Sequence, residues 1–264
     1  MKIGVGYLIF SGAELLKPAI MQIRPHVDYV VGLYSTKSNC GDDAPAFLKP
    51  LVESLREQGL LDEIIEFNPS KEKCIYKLQD CERDRYEIGR EICQVKGCTH
   101  YMTCDCDEFY DSKQFSQTVN MNLTKDFYAV RLRDYVKSPF YRAKQLSRLH
   151  VPFIHKIECP YEKKNYSVLM DTGRTVRANS FEVLSPKQII MHHFTAVRFC
   201  RLEMIRKFQG HSHFTRLGGK EKEVYMNKIY NADSDQEYEK IEDIFGVQKY
   251  WNEEFRSFYN MCMK

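Results

Sequence analysis

Residues 99–111 read THYMTCDCDEFYD, and the order of residue types in that stretch decides the architecture. His100–Asp105 is an apolar-rich run that ends in acid, as a strand does when it leaves the interior of a sheet. Three carboxylates, Asp105, Asp107 and Glu108, then follow almost without a break. Acids crowded at a strand end repel one another, so their juxtaposition points to a shared cation. Hard oxygen ligands of this kind suit Mg²⁺ or Mn²⁺, ions that bridge a diphosphate. A solvated acidic turn is the plain alternative, and the apolar strand before the acids with Phe109-Tyr110 after them favours the functional reading.

Working outward, the residues before this stretch alternate strand and helix. Residues 82–96 predict a helix, with Ile88, Ile92 and Val95 on one face and Gly97 at its end. Ile3–Phe10 is a continuous apolar run, which predicts a strand buried on both faces. Residues 13–24 group Leu15, Leu16, Ala19, Ile20 and Ile23 on one side of a helix. Tyr29–Tyr34 is a second strand, running into the polar loop 35–39. Phe47, Leu48, Leu51, Val52 and Leu55 recur at helical spacing up to Gly59, and Glu63–Phe67 is a third strand. Such alternation implies an α/β fold with a mainly parallel sheet flanked by helices, and these sheets bind ligands at the carboxyl ends of their strands. Phe10, Ser11, the loop carrying Ser35 and Lys37, and the acids all fall at those ends.

Downstream the pattern is less regular. Phe127–Asp134 alternates like a half-exposed strand, and Val168–Met170, Phe181–Leu184 and Gln188–His192 predict further strands. After His193 the spacing of Val197, Cys200, Met204, Ile205 and Phe208 predicts a helix. Trp251, Phe255, Phe258, Tyr259 and Cys262 predict another at the C-terminus.

Composition sets the outer bounds. With 264 residues, 43% of them hydrophobic and 28% charged, the chain can bury a sizeable core and reads as one α/β domain. A net charge of +3 gives no global attraction to nucleic acid. Local basic clusters do occur, at Arg131, Arg133, Lys137, Arg142, Lys144 and Arg148, and at Arg198, Arg201, Arg206, Lys207, Arg216, Lys220 and Lys222 beside His211, His213 and Phe214. They could meet an anionic acceptor, and a solvated surface is the reading favoured here. Ten cysteines without a CxxC pair fit reduced thiols in a cytoplasmic protein better than a zinc site or a disulfide framework. The N-terminal apolar stretch reads as a buried strand and not a signal peptide, and no run of about 18 apolar residues suggests a membrane span. The chain has no GxxxxGK(S/T) loop, no GxGxxG after a strand and no GxSxG elbow.

Gly97-Cys98-Thr99-His100, followed by Asp105-Cys106-Asp107-Glu108-Phe109-Tyr110, resembles the GxTH…DxDEFY stretch of family 2-like glycosyltransferases of GT-A type. A second block, Ile189-Ile190-Met191-His192-His193-Phe194 with Thr195-Ala196-Val197-Arg198, resembles the MHH-aromatic-xxVR segment of the same enzymes. The resemblance implies a GT-A fold with a nucleotide-sugar half over residues 1–112, an acceptor half over 113–200 and a helical C-terminal extension over 201–264. It implies Asp105 near the ribose, the sugar or the metal, and Asp107 on the metal. His193 would complete the metal shell with His192 as the alternative, because neighbours on a strand point to opposite faces and only one can reach. An imidazole ligand favours Mn²⁺ over Mg²⁺.

Arg85, in the run 82–86, and Arg198 would bind the donor diphosphate, while Phe10, Ser11, Ser35 and Lys37 would surround base and ribose. Asp171, in Asp171-Thr172-Gly173-Arg174, or Glu158 would serve as general base. The implied reaction moves a sugar from a nucleoside diphosphate, UDP first, to a hydroxyl acceptor with inversion. A glycan acceptor is favoured, with a modified nucleobase in DNA as the other choice. Two rivals stand beside it. A nucleotidyltransferase would carry a glycine-rich basic loop where Phe10-Ser11-Gly12-Ala13 stands, and a non-catalytic nucleic-acid-binding or scaffold protein would use the acids and histidines structurally.

Overall fold

The computed structural model describes residues 1–38, 42–68, 78–200, 202–204, 207, 227, 229 and 237–263. The thiols of Cys40, Cys74 and Cys81, and the residues Arg201, Ile205, Arg206, Phe208, His211, His213, Phe214, Arg216, Lys220 and Lys222, lie outside the described residues.

The first half follows the predicted alternation. It runs β1 (Ile3–Ile9), α1 (Leu16–Ile23), β2 (Tyr29–Tyr34), α2 (Leu48–Glu57), β3 (Glu63–Glu66), α3 (Leu78–Val95) and β4 (His100–Asp105). Gly59 and Gly97 take left-handed φ values of 72° and 77° just beyond α2 and α3, which only glycine adopts without strain. The remaining elements are β5 (Glu108–Phe109), α4 (Ser112–Val119), β6 (Phe127–Val136), β7 (Tyr141–Ala143), β8 (His150–Lys156), β9 (Phe181–Val183), β10 (Met191–Ala196) and β11 (Tyr238–Lys240). A C-terminal helical stretch closes the chain as α5 (Val247–Tyr250), a π turn (Trp251–Phe255) and α6 (Arg256–Cys262).

Among the described residues eleven strands join one mixed sheet, in the order β3-β2-β1-β4-β8-β6-β7-β11, with β9 and β10 against β6 and β5 against β10. Strands β3, β2, β1 and β4 are all parallel, and β8 is antiparallel to both β4 and β6. The chain steps outward from β1 to β3 and then crosses back to β4 on the other side of β1. That reversal leaves a crevice at the carboxyl ends of β1 and β4.

Strand β1 divides two cores by its alternation. Ile3, Val5, Tyr7 and Ile9 pack with α1 and α2, whereas Leu8 belongs with Val31, Leu33, Tyr86 and Cys93 on the α3 side. Gly4 and Gly6 share that second face. A methyl group on Gly6 would sit 1.9 Å from the Tyr101 hydroxyl, and one on Gly4 would sit 2.6 Å from the Cys93 sulfur. Their lack of a side chain is what lets α3 and β4 approach.

Several expectations are corrected. Val168–Met170 forms no strand; it makes one bridge, from Met170 to His150, because β8 is already paired on both edges farther along. The strand expected at 188–192 runs instead over Met191–Ala196, since Gln188 turns back to accept hydrogen bonds from both the amide and hydroxyl of Ser185. Residues 197–200 are therefore not helical, and helix is described only from residue 202. The C-terminal extension is not wholly helical, because β11 pairs antiparallel with β7. Among the described residues the free cysteines include Cys93, Cys98, Cys104, Cys106 and Cys159, all buried. No helix among them is long and apolar enough to cross a membrane.

Candidate active site

A cavity of about 430 Å³ opens at the reversal point. Leu8, Ile9, Phe10 and Ser11 contribute from the end of β1, and Asp105, Asp107 and Glu108 from the end of β4. Glu82, Arg85 and Tyr86 reach in from the start of α3. Met191, His193 and Thr195, alternate residues of β10, form the far wall with Leu132 of β6 and Val151 of β8. Their neighbours on β10 turn the other way: His192 donates to or accepts from the Tyr135 hydroxyl at 2.9 Å, and Phe194 stacks on Tyr135 with centroids 4.4 Å apart. Strand alternation thus brings His193 to the cavity and removes His192 from it, so the alternative ligand is corrected.

The acids are held by named cations. Arg174 spans Asp105 and Glu108, with NH1 2.7 Å from Glu108 Oε1, and its Nε lies 3.5 Å from Asp171 Oδ2. Glu108 also accepts from the Asp105 amide at 3.0 Å, which fixes the turn between the two acids. Asp107 is buried, and its Oδ2 accepts from Arg198 NH2 at 2.8 Å and from Lys207 Nζ at 2.7 Å. Burial alone would raise the Asp107 carboxyl, but Lys207, Arg198 and His193 hold it well below the usual carboxylate range. Burial and the nearby Asp105 push the Glu82 carboxyl up, against Arg85 and Arg174.

His193 is oriented from behind. Its Nδ1 lies 3.0 Å from Asp134 Oδ1, so Nδ1 carries the proton given to that carboxylate and Nε2 faces Asp107 Oδ1 at 4.0 Å. A carboxylate fixing the far nitrogen of an imidazole is the usual support of a metal-binding histidine. The nitrogen lone pair and the Oδ1 oxygen, both on the cavity side, fit one divalent cation with Mn²⁺ or Mg²⁺ chemistry. Among the described residues no three such side chains converge, and in Mg²⁺-type sites water and substrate phosphates commonly complete the shell.

The other expected residues divide. Phe10, Ser11, Lys37, Arg85, Asp105 and Asp171 line the cavity, with Lys37 also paired to Asp43. Ser35 is buried beneath, donating to the Phe67 carbonyl at 2.6 Å and lying 3.4 Å from Arg85 NH1; it shapes the loop instead of facing the cavity. Arg198 is corrected from a diphosphate ligand to an internal prop: its side chain is wholly buried and also donates to the Phe194 and Val197 carbonyls at 2.9 and 2.6 Å. Glu158 is exposed just past β8, which runs antiparallel to β4 and so ends at the opposite edge of the sheet.

Lys207 belonged to a supposed surface cluster and is in fact buried on Asp107. Asp134 and the clamp made by Arg174 were also missed as partners. Alternation places Asp134 on the face of β6 that Leu132 shares, which was a usable signal; for Lys207 the sequence holds none.

Neither a family model nor a curated protein matches this sequence. Among solved structures, residues 1–349 of S. aureus TarS are similar at 12% identity with a TM-score of 0.46, covering 97% of this chain and 92% of that one. The same fragment in complex with UDP-GlcNAc gives 11% and 0.44. A longer TarS chain gives 10% and 0.43, and this chain spans 55% of it. At such values the likeness concerns the general course of the chain and bears on no residue of the site.

Proposed function

We propose that this chain is a metal-dependent glycosyltransferase that moves a sugar from a UDP-linked donor to a hydroxyl acceptor with inversion. One observation carries the reading: the two sequence blocks that resemble glycosyltransferase segments meet in one cavity at the sheet's reversal point, where Asp107 and His193 face each other at 4.0 Å. Asp107 and His193 would hold Mn²⁺, or Mg²⁺, which supplies charge neutralisation for the departing nucleoside diphosphate.

The chain's own residues supply the rest. Arg85, at the start of α3 on the cavity wall, offers a guanidinium fork to phosphate oxygens. Asp105, steadied by Arg174, accepts hydrogen bonds from donor hydroxyls, and Phe10, Ser11 and Lys37 border the nucleoside. Asp171 takes the proton of the acceptor hydroxyl; its Oδ1 accepts from the Gly173 amide at 3.0 Å, which fixes its direction. Leu132, Val151 and Met191 give the far wall an aliphatic face, which supports a glycan hydroxyl ahead of a charged acceptor.

Calorimetric titration of UDP, GDP and dTDP, each with and without Mn²⁺, tests this on the wild type and Asp107→Asn. Manganese-dependent binding of UDP that the variant loses is the expected result. Absence of binding by every nucleotide under both conditions would overturn the reading.

A further inference from the structure

We infer that Lys207 is an exchangeable counter-ion: its ammonium pairs with Asp107 and passes to a donor phosphate when a divalent cation is bound by Asp107 and His193. The inference rests on the glycosyltransferase reading and assigns a role to a residue that the reading leaves out.

Two cations share Asp107 Oδ2, and they are not equivalent. Arg198 is fixed: its guanidinium also donates to two backbone carbonyls, its side chain is wholly buried, and it stays behind the cavity wall. Among the described residues Lys207 makes one hydrogen bond, to Asp107, and it lies on the wall itself. A lysine carries its charge on a four-carbon stem with three rotatable donors, so it can change acceptors with little movement of its backbone.

The charges explain why it would. Asp107 is one buried negative charge against two positive ones, Arg198 and Lys207, both on its Oδ2. A divalent ion at Oδ1 would add two more positive charges beside it, and repulsion at this burial is screened far less than in water. The donor diphosphate brings the compensating negative charge into the same cavity. Of the other cations on the wall, Arg174 is committed to Asp105 and Glu108, Lys37 pairs with Asp43, and Arg85 is the one group the proposed function already places on the diphosphate. Lys207 would therefore hold the carboxylate in one state and the leaving group in the other, so that Asp107 keeps a counter-charge throughout.

The test uses Lys207→Met and Lys207→Arg, with Mn²⁺ binding followed by electron paramagnetic resonance without nucleotide, and UDP binding by calorimetry at saturating Mn²⁺. Loss of a competing ammonium should tighten Mn²⁺ binding severalfold in Lys207→Met. Loss of a charge-assisted hydrogen bond should weaken UDP binding about tenfold in the same variant, while Lys207→Arg keeps UDP affinity near wild type. Lys207→Gln, which can still donate to Asp107 without a charge, carries the same expectations if the methionine variant does not fold. If the neutral variant leaves both constants unchanged, or weakens Mn²⁺ along with UDP, the exchange is wrong while the glycosyltransferase reading stands. Failure of the wild type to bind any nucleotide would remove both.

Discussion

Arg174 meets Glu108 head-on, its NH1 2.7 Å from one carboxylate oxygen and 2.8 Å from the other. Burial pushes the Glu108 carboxyl above its ordinary range, and the guanidinium opposes that push; Asp105 and Glu108 in turn more than offset the effect of burial on Arg174. A pair of this kind stabilises little over a well-packed apolar pair, but removing one member strands the other in the interior. Arg174→Met should therefore cost about 3–5 kcal/mol in urea denaturation. Adding Glu108→Gln to it should recover part of that loss, since the stranded charge is gone. A double variant no more stable than Arg174→Met would show that packing, and not the uncompensated carboxylate, sets the cost.

The same clamp shows what could be read from the chain and what could not. Strands β1, β2 and β4 were legible because they are buried on both faces, and the half-exposed β3 because Ile64-Ile65 follows a helix that ends on Gly59, as α3 ends on Gly97. Strand β8 was not, because HVPFIHK carries a proline; Pro152 is tolerated where the pairing with β6 slips register at Tyr128/Ala129. Asp105, Asp107 and His193 were singled out because the acids crowd at a strand end and because the blocks that carry them resemble glycosyltransferase segments, and the structure brings all three to one cavity. Arg198 sat in a recognisable block, yet which group it serves depends on tertiary contacts with Asp107 and the Phe194 carbonyl. Arg174 and Lys207 reach the acids from segments remote in sequence, and no local pattern marks that meeting.

Asp134 stands behind His193, and its effect should be felt at the metal. If Nδ1 loses its acceptor, the imidazole can rotate or change tautomer, and Nε2 no longer presents a lone pair to the cavity. Asp134→Ala should lower Mn²⁺ affinity about 10- to 100-fold. Asp134→Asn, whose amide oxygen can still accept from Nδ1, should lose less. Paramagnetic resonance of free Mn²⁺ measures both, and equal affinities in wild type and Asp134→Ala would exclude His193 as a ligand oriented in this way.

Gly6 faces the Tyr101 hydroxyl so closely that a methyl group there would lie 1.9 Å away. Tyr101, on β4, is fully buried against Gly89, Tyr161 and His155, so its ring has no room to retreat. Gly6→Ala should cost about 1–3 kcal/mol, the range for overpacking a core. Tyr101→Phe in the same chain should return part of it, although the ring carbon that bore the hydroxyl would still be close, at 3.0 Å. A double-variant cycle with urea midpoints reads the coupling, and strict additivity would mean that the strain lies elsewhere.

Glu14 is buried behind the site, where the Phe199 amide lies 3.4 Å and the Arg198 Nε 3.9 Å from its Oε1. Desolvation raises its pKa from 4.5 to about 7; Arg198 pulls it down and Glu203 pushes it up, and burial prevails. An acid whose pKa is higher in the folded chain favours folding in its protonated form. Its contribution is full below the unfolded value of 4.5 and is lost as pH rises through about 7. The loss amounts to about 3 kcal/mol at most. Glu14→Gln removes this titration, so the variant should gain stability relative to wild type between pH 5 and pH 8, on the order of those few kcal/mol. Urea denaturation of both proteins at the two pH values measures the gain, and a stability difference that stays constant between them would mean that Glu14 does not titrate in this range.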